Sequence, residues 1–187
     1  MKRARSIVIL TILFGSKSLF AQTGKMLIPD GNYYIVRHAE KDTGRDPVLT
    51  KAGYLRAGDL YRELKDKKIS KIYTNQFKRI QLTADSLRIY QKIDTIRYVA
   101  DANNDDLLNR LANSKGDQGN VLIIGHSNTV PAIIKRLGIA DFVPNELPDH
   151  EYDNLFVVRI KNNKAVLEKL KYGKVSVAPA STGAMKN

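Results

Sequence analysis

The sequence predicts an α/β fold, a sheet covered on both faces by helices, and three observations carry that prediction. Short apolar runs that read as buried strands alternate with longer segments of helical period. At 187 residues with 43% hydrophobic side chains, the chain can bury one core and not two. The two clearest strand runs also end abruptly in polar, histidine-bearing loops, and in α/β sheets functional groups gather where strands end.

Taken in order, a compact β-prone run over residues 32–36 stops at Arg37-His38-Ala39-Glu40-Lys41. Residues 42–47 read as loop, and Thr50 as the cap of a helix carrying Ala52, Leu55, Leu60, Tyr61 and Leu64 on its apolar face. A second short strand is expected over 69–73. The polar turn Thr74-Asn75-Gln76 then leads to a helix over 77–90 with Phe77, Ile80, Ala84 and Leu87 on one side. Residues 96–99 read as a third strand, and Asn103 as the cap of a helix bearing Leu107, Leu108 and Leu111. The run over 121–124 is the clearest buried strand. It enters Gly125-His126-Ser127-Asn128 before a helix through Ile133, Ile134 and Leu137, which Gly138 ends. After a loop with Pro144 and Pro148, residues 155–160 and 165–172 form a hairpin through Lys161-Asn162-Asn163-Lys164.

The ends of the chain have a different character. Lys2, Arg3 and Arg5, an apolar run over 7–14 and a small-residue approach to Ala21-Gln22 have the layout of a secretory signal peptide over 1–21. The run is short for a bilayer span, so no stable membrane anchor is expected after cleavage. The organisation expected is signal peptide 1–21, linker 22–30, domain 31–175 and a flexible tail over 176–187. Lys+Arg 31 against Asp+Glu 19 gives a formal charge of +12. The first 21 residues hold four basic and no acidic side chains, so the remainder is +8. Those cations are scattered, with no basic stripe interleaved with aromatics, which argues against nucleic acid and for a small anionic substrate. The absence of cysteine excludes disulfide staples, thiolate metal sites and cysteine nucleophiles, and suits a periplasmic or secreted location.

Two of the three histidines, His38 and His126, follow the two best strands immediately, whereas His150 sits in a loop. If those strands are parallel neighbours, both imidazoles emerge at one sheet edge. The ordered set is Arg37-His38-Ala39-Glu40-Lys41, then Asp46-Pro47-Val48-Leu49-Thr50 with Gly53. It continues with Tyr73 to Arg79 and Thr83-Ala84, then Gly125-His126-Ser127-Asn128-Thr129-Val130-Pro131. In that order, over residues 32–172, it resembles the histidine phosphatase superfamily, the phosphoglycerate mutase-like proteins.

The resemblance implies a three-layer α/β/α sandwich with a mainly parallel sheet and a phosphatase that works through a phosphohistidine on His38. It needs no metal or cofactor. Arg37, Arg79 and His126 would bind the phosphoryl group, with Lys41 a further contact. Electrostatics supports these roles, since donors fixed in advance stabilise the charge on a phosphoryl group in flight, and neighbouring guanidinium charges keep His38 neutral. This chain has Ala39 where many members have glycine, Lys41 where some have arginine, and Thr74 and Gln76 in place of a usual serine and proline.

The general acid is open between Asp101, which is preferred, Glu40, and Asp105, Asp106 or water. Other readings stand beside this one. A binding module of the same fold could keep the phosphate pocket without turnover. Gly125-His126-Ser127-Asn128-Thr129 also has the look of a nucleophile elbow built on Ser127, although Thr129 stands where that turn requires glycine. A phosphomutase is disfavoured by the absence of long insertions.

Overall fold

The computed structural model describes residues 27–101, 103–114 and 119–178. The expected signal peptide, most of the linker and the end of the tail lie outside these residues. Ten elements follow in chain order: β1 (Gly31–Arg37), α1 (Lys51–Leu64), β2 (Ile69–Thr74), α2 (Lys78–Gln91), β3 (Thr95–Arg97), α3 (Asp105–Asn113), β4 (Asn120–Gly125), α4 (Thr129–Arg136), β5 (Asn154–Lys161) and β6 (Lys164–Lys171).

The strands form one sheet in the order β3-β2-β4-β1-β5-β6. The first four are parallel and the β5–β6 hairpin is antiparallel, so the sheet is mainly parallel as expected. The hairpin turns on Asn162 and Asn163, both at positive φ (51° and 60°), the conformation that asparagine tolerates best after glycine.

Alternation along the strands divides the core between the two faces. Tyr33, Ile35, Val121 and Ile123 pack under α3 and α4 with Leu107, Leu111, Ile133 and Ile134. Tyr34, Val36, Leu122 and Ile124 pack under α1 and α2 with Leu60, Leu64, Ile80 and Leu87. Each such fully buried aliphatic side chain contributes about 1.5–3 kcal/mol, which makes these two layers the main stabilising term.

The connections decide where the site lies. The chain leaves β1, crosses to β2 and on to β3 with α1 and α2 on one face, then returns through α3 on the other face to insert β4 between β2 and β1. The loops leaving β1 and β4 therefore diverge to opposite faces, and a crevice opens between two adjacent strand ends, at the topological switch point. Arg37 pairs with Gly125 in the β1–β4 register, and the His38 N–H donates to the Gly125 carbonyl (2.9 Å).

Several local expectations are corrected. Thr50 caps α1 as predicted, accepting from the Gly53 N–H, but Ala52 and Leu55 are exposed and the buried face is Gly53, Arg56, Ala57, Leu60 and Leu64. Gly53 is required there, because a Cβ would stand 2.1 Å from the Glu40 carbonyl oxygen. The third strand is only three residues long. Asn103 does not cap α3. The cap position is Asn104, at φ 58°, and the capping oxygens belong to Asp101. Ser176, expected to begin a flexible tail, is docked instead: its N–H donates to Asp153 and its hydroxyl accepts from the Tyr152 N–H. Among the described residues no helix is long and apolar enough to cross a membrane.

Candidate active site

At the C-terminal ends of β1 and β4 lies an open cleft of about 510 Å³, with Arg37, His38, Arg79 and His126 among its lining residues. The parallel pairing of β1 and β4 brings the two imidazoles to one edge, with ring centroids 5.4 Å apart. Lys41, Asp101 and Ser127 also line this cleft, whereas Glu40 and His150 do not.

His38 is buried at the first position beyond β1. Its Nδ1 lies 2.8 Å from the Ala39 carbonyl oxygen, which can only accept, so Nδ1 carries the ring proton and Nε2 keeps its lone pair. Burial pushes its pKa down to about 3; the hydrogen bond to Ala39 opposes that, and the Arg37 and Arg79 charges add to it. The guanidinium repulsion expected from sequence is thus present but secondary to desolvation. The Ala39 N–H donates to Thr83 Oγ1 (2.9 Å), and the Thr83 hydroxyl donates to the Arg79 carbonyl (2.7 Å). One threonine therefore couples the histidine loop to the helix that carries Arg79.

Arg79 lies in the first turn of α2, whose exposed N–H groups are partly capped by Asp46 through Lys78 N (3.0 Å). Its guanidinium carbon stands 4.4 Å from the centre of the Phe77 ring, and Nη1 is 3.8 Å from Asp46. Burial lowers its pKa, with repulsion from Arg37 adding and Asp46 opposing. Arg37 is held by the loop after α4: Nη1 donates to the carbonyls of Pro148 (2.8 Å) and Asp149 (3.2 Å), and its guanidinium carbon lies 4.3 Å from the centre of the Tyr152 ring. The Nε atoms of Arg37 and Arg79 are both buried without a hydrogen-bond acceptor. A buried Arg37 and a half-buried Arg79, each with a buried, unpartnered Nε–H donor, beside two neutral imidazoles make a site for an anion rather than a cation.

His126 has Arg79 Nη2 3.3 Å from Nδ1 and Asn75 Nδ2 3.2 Å from Nε2. Burial lowers its pKa to about 4, helped by Arg79 and Arg37. Asn75, fully buried, and Tyr152 were not singled out from sequence. A turn asparagine and a loop tyrosine have ordinary structural explanations, and only the fold places them against His126 and Arg37.

The acids weighed from sequence have other occupations. Asp101 Oδ1 accepts from the N–H groups of Asn103 and Asp105, and Oδ2 from Asp106. Burial alone would raise this carboxyl, but those donors outweigh it and hold it below the ordinary range. An ionised helix cap is poorly suited to deliver a proton, which weighs against the preferred assignment. Glu40 is bound through both oxygens to buried Arg56, at 2.7–2.9 Å. Asp105 pairs with Arg136 (2.9 Å), and Asp106 accepts from Val99 N (2.7 Å) and Arg110 Nε (2.9 Å). Lys41 is exposed at the mouth of the cleft, its backbone bridged to Leu49. The Ser127 hydroxyl donates to Glu146 (2.8 Å) rather than to an imidazole, so the partner that a serine nucleophile needs is missing from its hydrogen bond. Among the described residues no group of three histidine or carboxylate side chains is placed to hold a metal ion.

No family model matches the sequence, and no curated protein matches it. Solved structures do. SixA from Agrobacterium tumefaciens superposes with a TM-score of 0.55 at 19% identity, covering 79% of this chain and 98% of its own. The alpha-ribazole phosphatase from Shigella flexneri gives 0.54 at 15% identity, covering 79% and 100%. A phosphoserine phosphatase from Entamoeba histolytica, in complex with 3-phosphoglyceric acid, gives 0.54 at 14% identity, covering 78% and 98%. The chain thus has the phosphoglycerate mutase-like fold that these structures share, as its motifs led one to expect.

Proposed function

We propose that this protein is a metal-independent phosphatase that forms and hydrolyses a phosphohistidine on His38. What carries the reading is the pair of buried, acceptor-free guanidinium Nε groups on Arg37 and Arg79, next to a buried imidazole whose Nε2 lone pair is free. His38 Nε2 attacks phosphorus and the bond to the leaving group breaks. Arg37, Arg79 and His126 stabilise the charge spread over the phosphoryl oxygens. Water then attacks the phosphohistidine, releasing phosphate and restoring the neutral imidazole. Low histidine pKa values support this chemistry, since both rings stay neutral throughout the physiological range.

The substrate is a small phosphorylated anion, a phosphomonoester or a phosphohistidine. With Asp101, Glu40, Asp105 and Asp106 all engaged elsewhere, leaving groups that need little help from an acid are favoured: aryl phosphates and phosphoramidates such as phosphohistidine. The structural neighbours, among them a protein histidine phosphatase SixA complexed with tungstate, are in keeping with that class. A basic start, an apolar run over 7–14 and a small-residue approach to Ala21 support export to the periplasm or beyond, with a mature chain that starts near Gln22.

The deciding experiment is hydrolysis of an aryl phosphate by the purified chain in EDTA, with acid-labile phosphoenzyme trapped by rapid quench. Turnover is expected to survive chelation, and His38→Ala to lose both phosphoenzyme and activity by more than ~10⁴-fold. Phosphate-analogue binding with no turnover on any phosphate would favour the binding-module reading, and loss of turnover in EDTA restored by a divalent ion would overturn the mechanism. Intact Met1 in the mature protein would remove the export proposal alone.

A further inference from the structure

We propose that Asn75 is a positioning residue that fixes the proton of His126 on Nδ1, so that Nδ1–H and Arg79 Nη2–H act as a matched donor pair for one phosphoryl oxygen. The pair's target rests on the phosphatase reading above, whereas the tautomer does not.

The argument starts from the turn between β2 and α2. Asn75 is fully buried, and its Oδ1 accepts from the Phe77 N–H (3.1 Å). A backbone N–H can only donate, so the amide oxygen is committed to that side and Nδ2 faces His126 Nε2 at 3.2 Å. The Gln81 side chain donates to the Asn75 carbonyl (3.1 Å) and anchors the same turn to α2. The NH₂ group has no acceptor capacity. His126 Nε2 can only accept from it, and when it does the proton of the neutral imidazole sits on Nδ1.

At Nδ1 the neighbour is Arg79 Nη2, 3.3 Å away, which also cannot accept; a neutral ring accepts from one of the two, and the contact to give up is the longer one, because Arg79 can turn its donor to an anion in the cleft whereas the buried Asn75 amide cannot. Two donors this close serve one another poorly and serve a shared anionic oxygen well. Nothing else in the cleft asks for this arrangement: with the opposite tautomer, Arg79 would spend Nη2 on the imidazole, and Nε2–H would oppose the Asn75 amide. His126 stays neutral because it is buried beside Arg79 and Arg37. Position therefore matters more than charge, and a single misplaced proton removes one phosphoryl donor without altering packing.

Long-range proton–nitrogen correlation spectra of the ¹⁵N-labelled full chain test this directly, because the chain has only three histidines and His126→Gln identifies the ring in question. A pyrrole-like Nδ1 and a pyridine-like Nε2 are expected for His126 at neutral pH. The isosteric Asn75→Asp puts an acceptor opposite Nε2 and should draw a proton onto that nitrogen. Its kcat on an aryl phosphate should fall about 10²-fold at neutral pH with a smaller change in KM, the loss expected for one preorganised donor. The introduced carboxylate also raises the His126 pKa, so the variant should regain activity as pH falls and the doubly protonated ring restores Nδ1–H. A merely structural asparagine would predict equal loss at all pH values and an unchanged tautomer. A wild-type His126 protonated on Nε2 overturns the proposal, even if Asn75→Asp fails to fold and whether or not the protein hydrolyses phosphates.

Discussion

Arg56 and Arg79 stand on neighbouring helices, both with little exposure, and their surroundings are opposite. Arg56 on α1 donates through Nε and Nη2 to both oxygens of Glu40 and through Nη1 to the Tyr172 carbonyl (3.2 Å). Burial would lower its pKa, but Glu40 outweighs that and the net shift is upward. Arg79 on α2 has its nearest carboxylate at 3.8 Å, a buried Nε without an acceptor, and a pKa lowered by burial. Folding completes the electrostatics of the first and leaves the second wanting an anion. The pair shows how one residue type divides its work: a buried charge satisfied by the protein holds loops together, and a buried charge left unsatisfied is a binding site whose cost is offset by burial elsewhere.

The sharpest way to break this contrast is to remove each guanidinium. Arg79→Met should reduce phosphatase turnover by about 10³-fold, since it deletes a preorganised donor to the phosphoryl group. It should leave the melting temperature level or raised, because it removes a desolvated charge whose nearest carboxylate stands 3.8 Å away. Activity from rapid-quench kinetics and stability from calorimetry on one sample decide it. A clear fall in stability would make Arg79 structural.

Arg56→Met should do the reverse. It leaves Glu40 unpaired beside the nucleophile loop and should cost about 3 kcal/mol in chemical denaturation, with turnover falling only through the loosened loop. Glu40→Gln, which keeps a partial acceptor, should cost less. A loss of activity on alkyl phosphates alone after Glu40→Gln would return that carboxylate to the acid role.

The histidines sharpen the comparison through pH. His38 and His126 have folded pKa values near 3 and 4, below the ordinary value of 6.5, so between these limits the unfolded chain binds more protons. Stability should hold above about pH 6.5 and decline as pH falls toward 4, by on the order of 2 kcal/mol for each ring between pH 7 and pH 5. His126→Gln should flatten that slope. A slope unchanged in both His126→Gln and His38→Gln would show that neither ring is held neutral.

The smallest effect concerns Asp101. Asp101→Ala should cost about 1 kcal/mol, the value of a helix cap, and should slow alkyl and aryl phosphates alike. Asp101→Asn retains capping oxygen and should be milder still. Selective loss on alkyl phosphates would restore Asp101 as the general acid.

Much of the site was legible before any coordinates. Strand runs ending in Arg37-His38 and Gly125-His126 placed two imidazoles at strand ends, and β1–β4 pairing brings both into one cleft with Arg79. The local pattern also predicted the sheet, the helices and the Asn162-Asn163 turn, because alternation, helical period and turn chemistry act over a few residues.

Other features were beyond its reach. Composition gave no reason to bury Arg56 in place of Leu55; on the buried face of α1 the Glu40 backbone packs over Gly53 and the Glu40 carboxylate pairs with Arg56. Asp101 reads equally as an acid or a solvated loop charge until the Asp105 and Asp106 N–H groups are seen to converge on it.

The sequence by itself determined the class of fold, which follows from residue type and short-range spacing, and through a family resemblance it pointed to the side chains that would carry phosphoryl chemistry. Which carboxylates are spent on arginines and helix ends, which guanidinium groups stay open to an anion, and which nitrogen of His126 bears the proton were decided only by tertiary structure. A hydrogen bond depends on partners 16, 51 or 112 residues apart arriving within about 3 Å. Long-range registry of that kind is a property of the packed layers and has no signature in any local stretch of sequence.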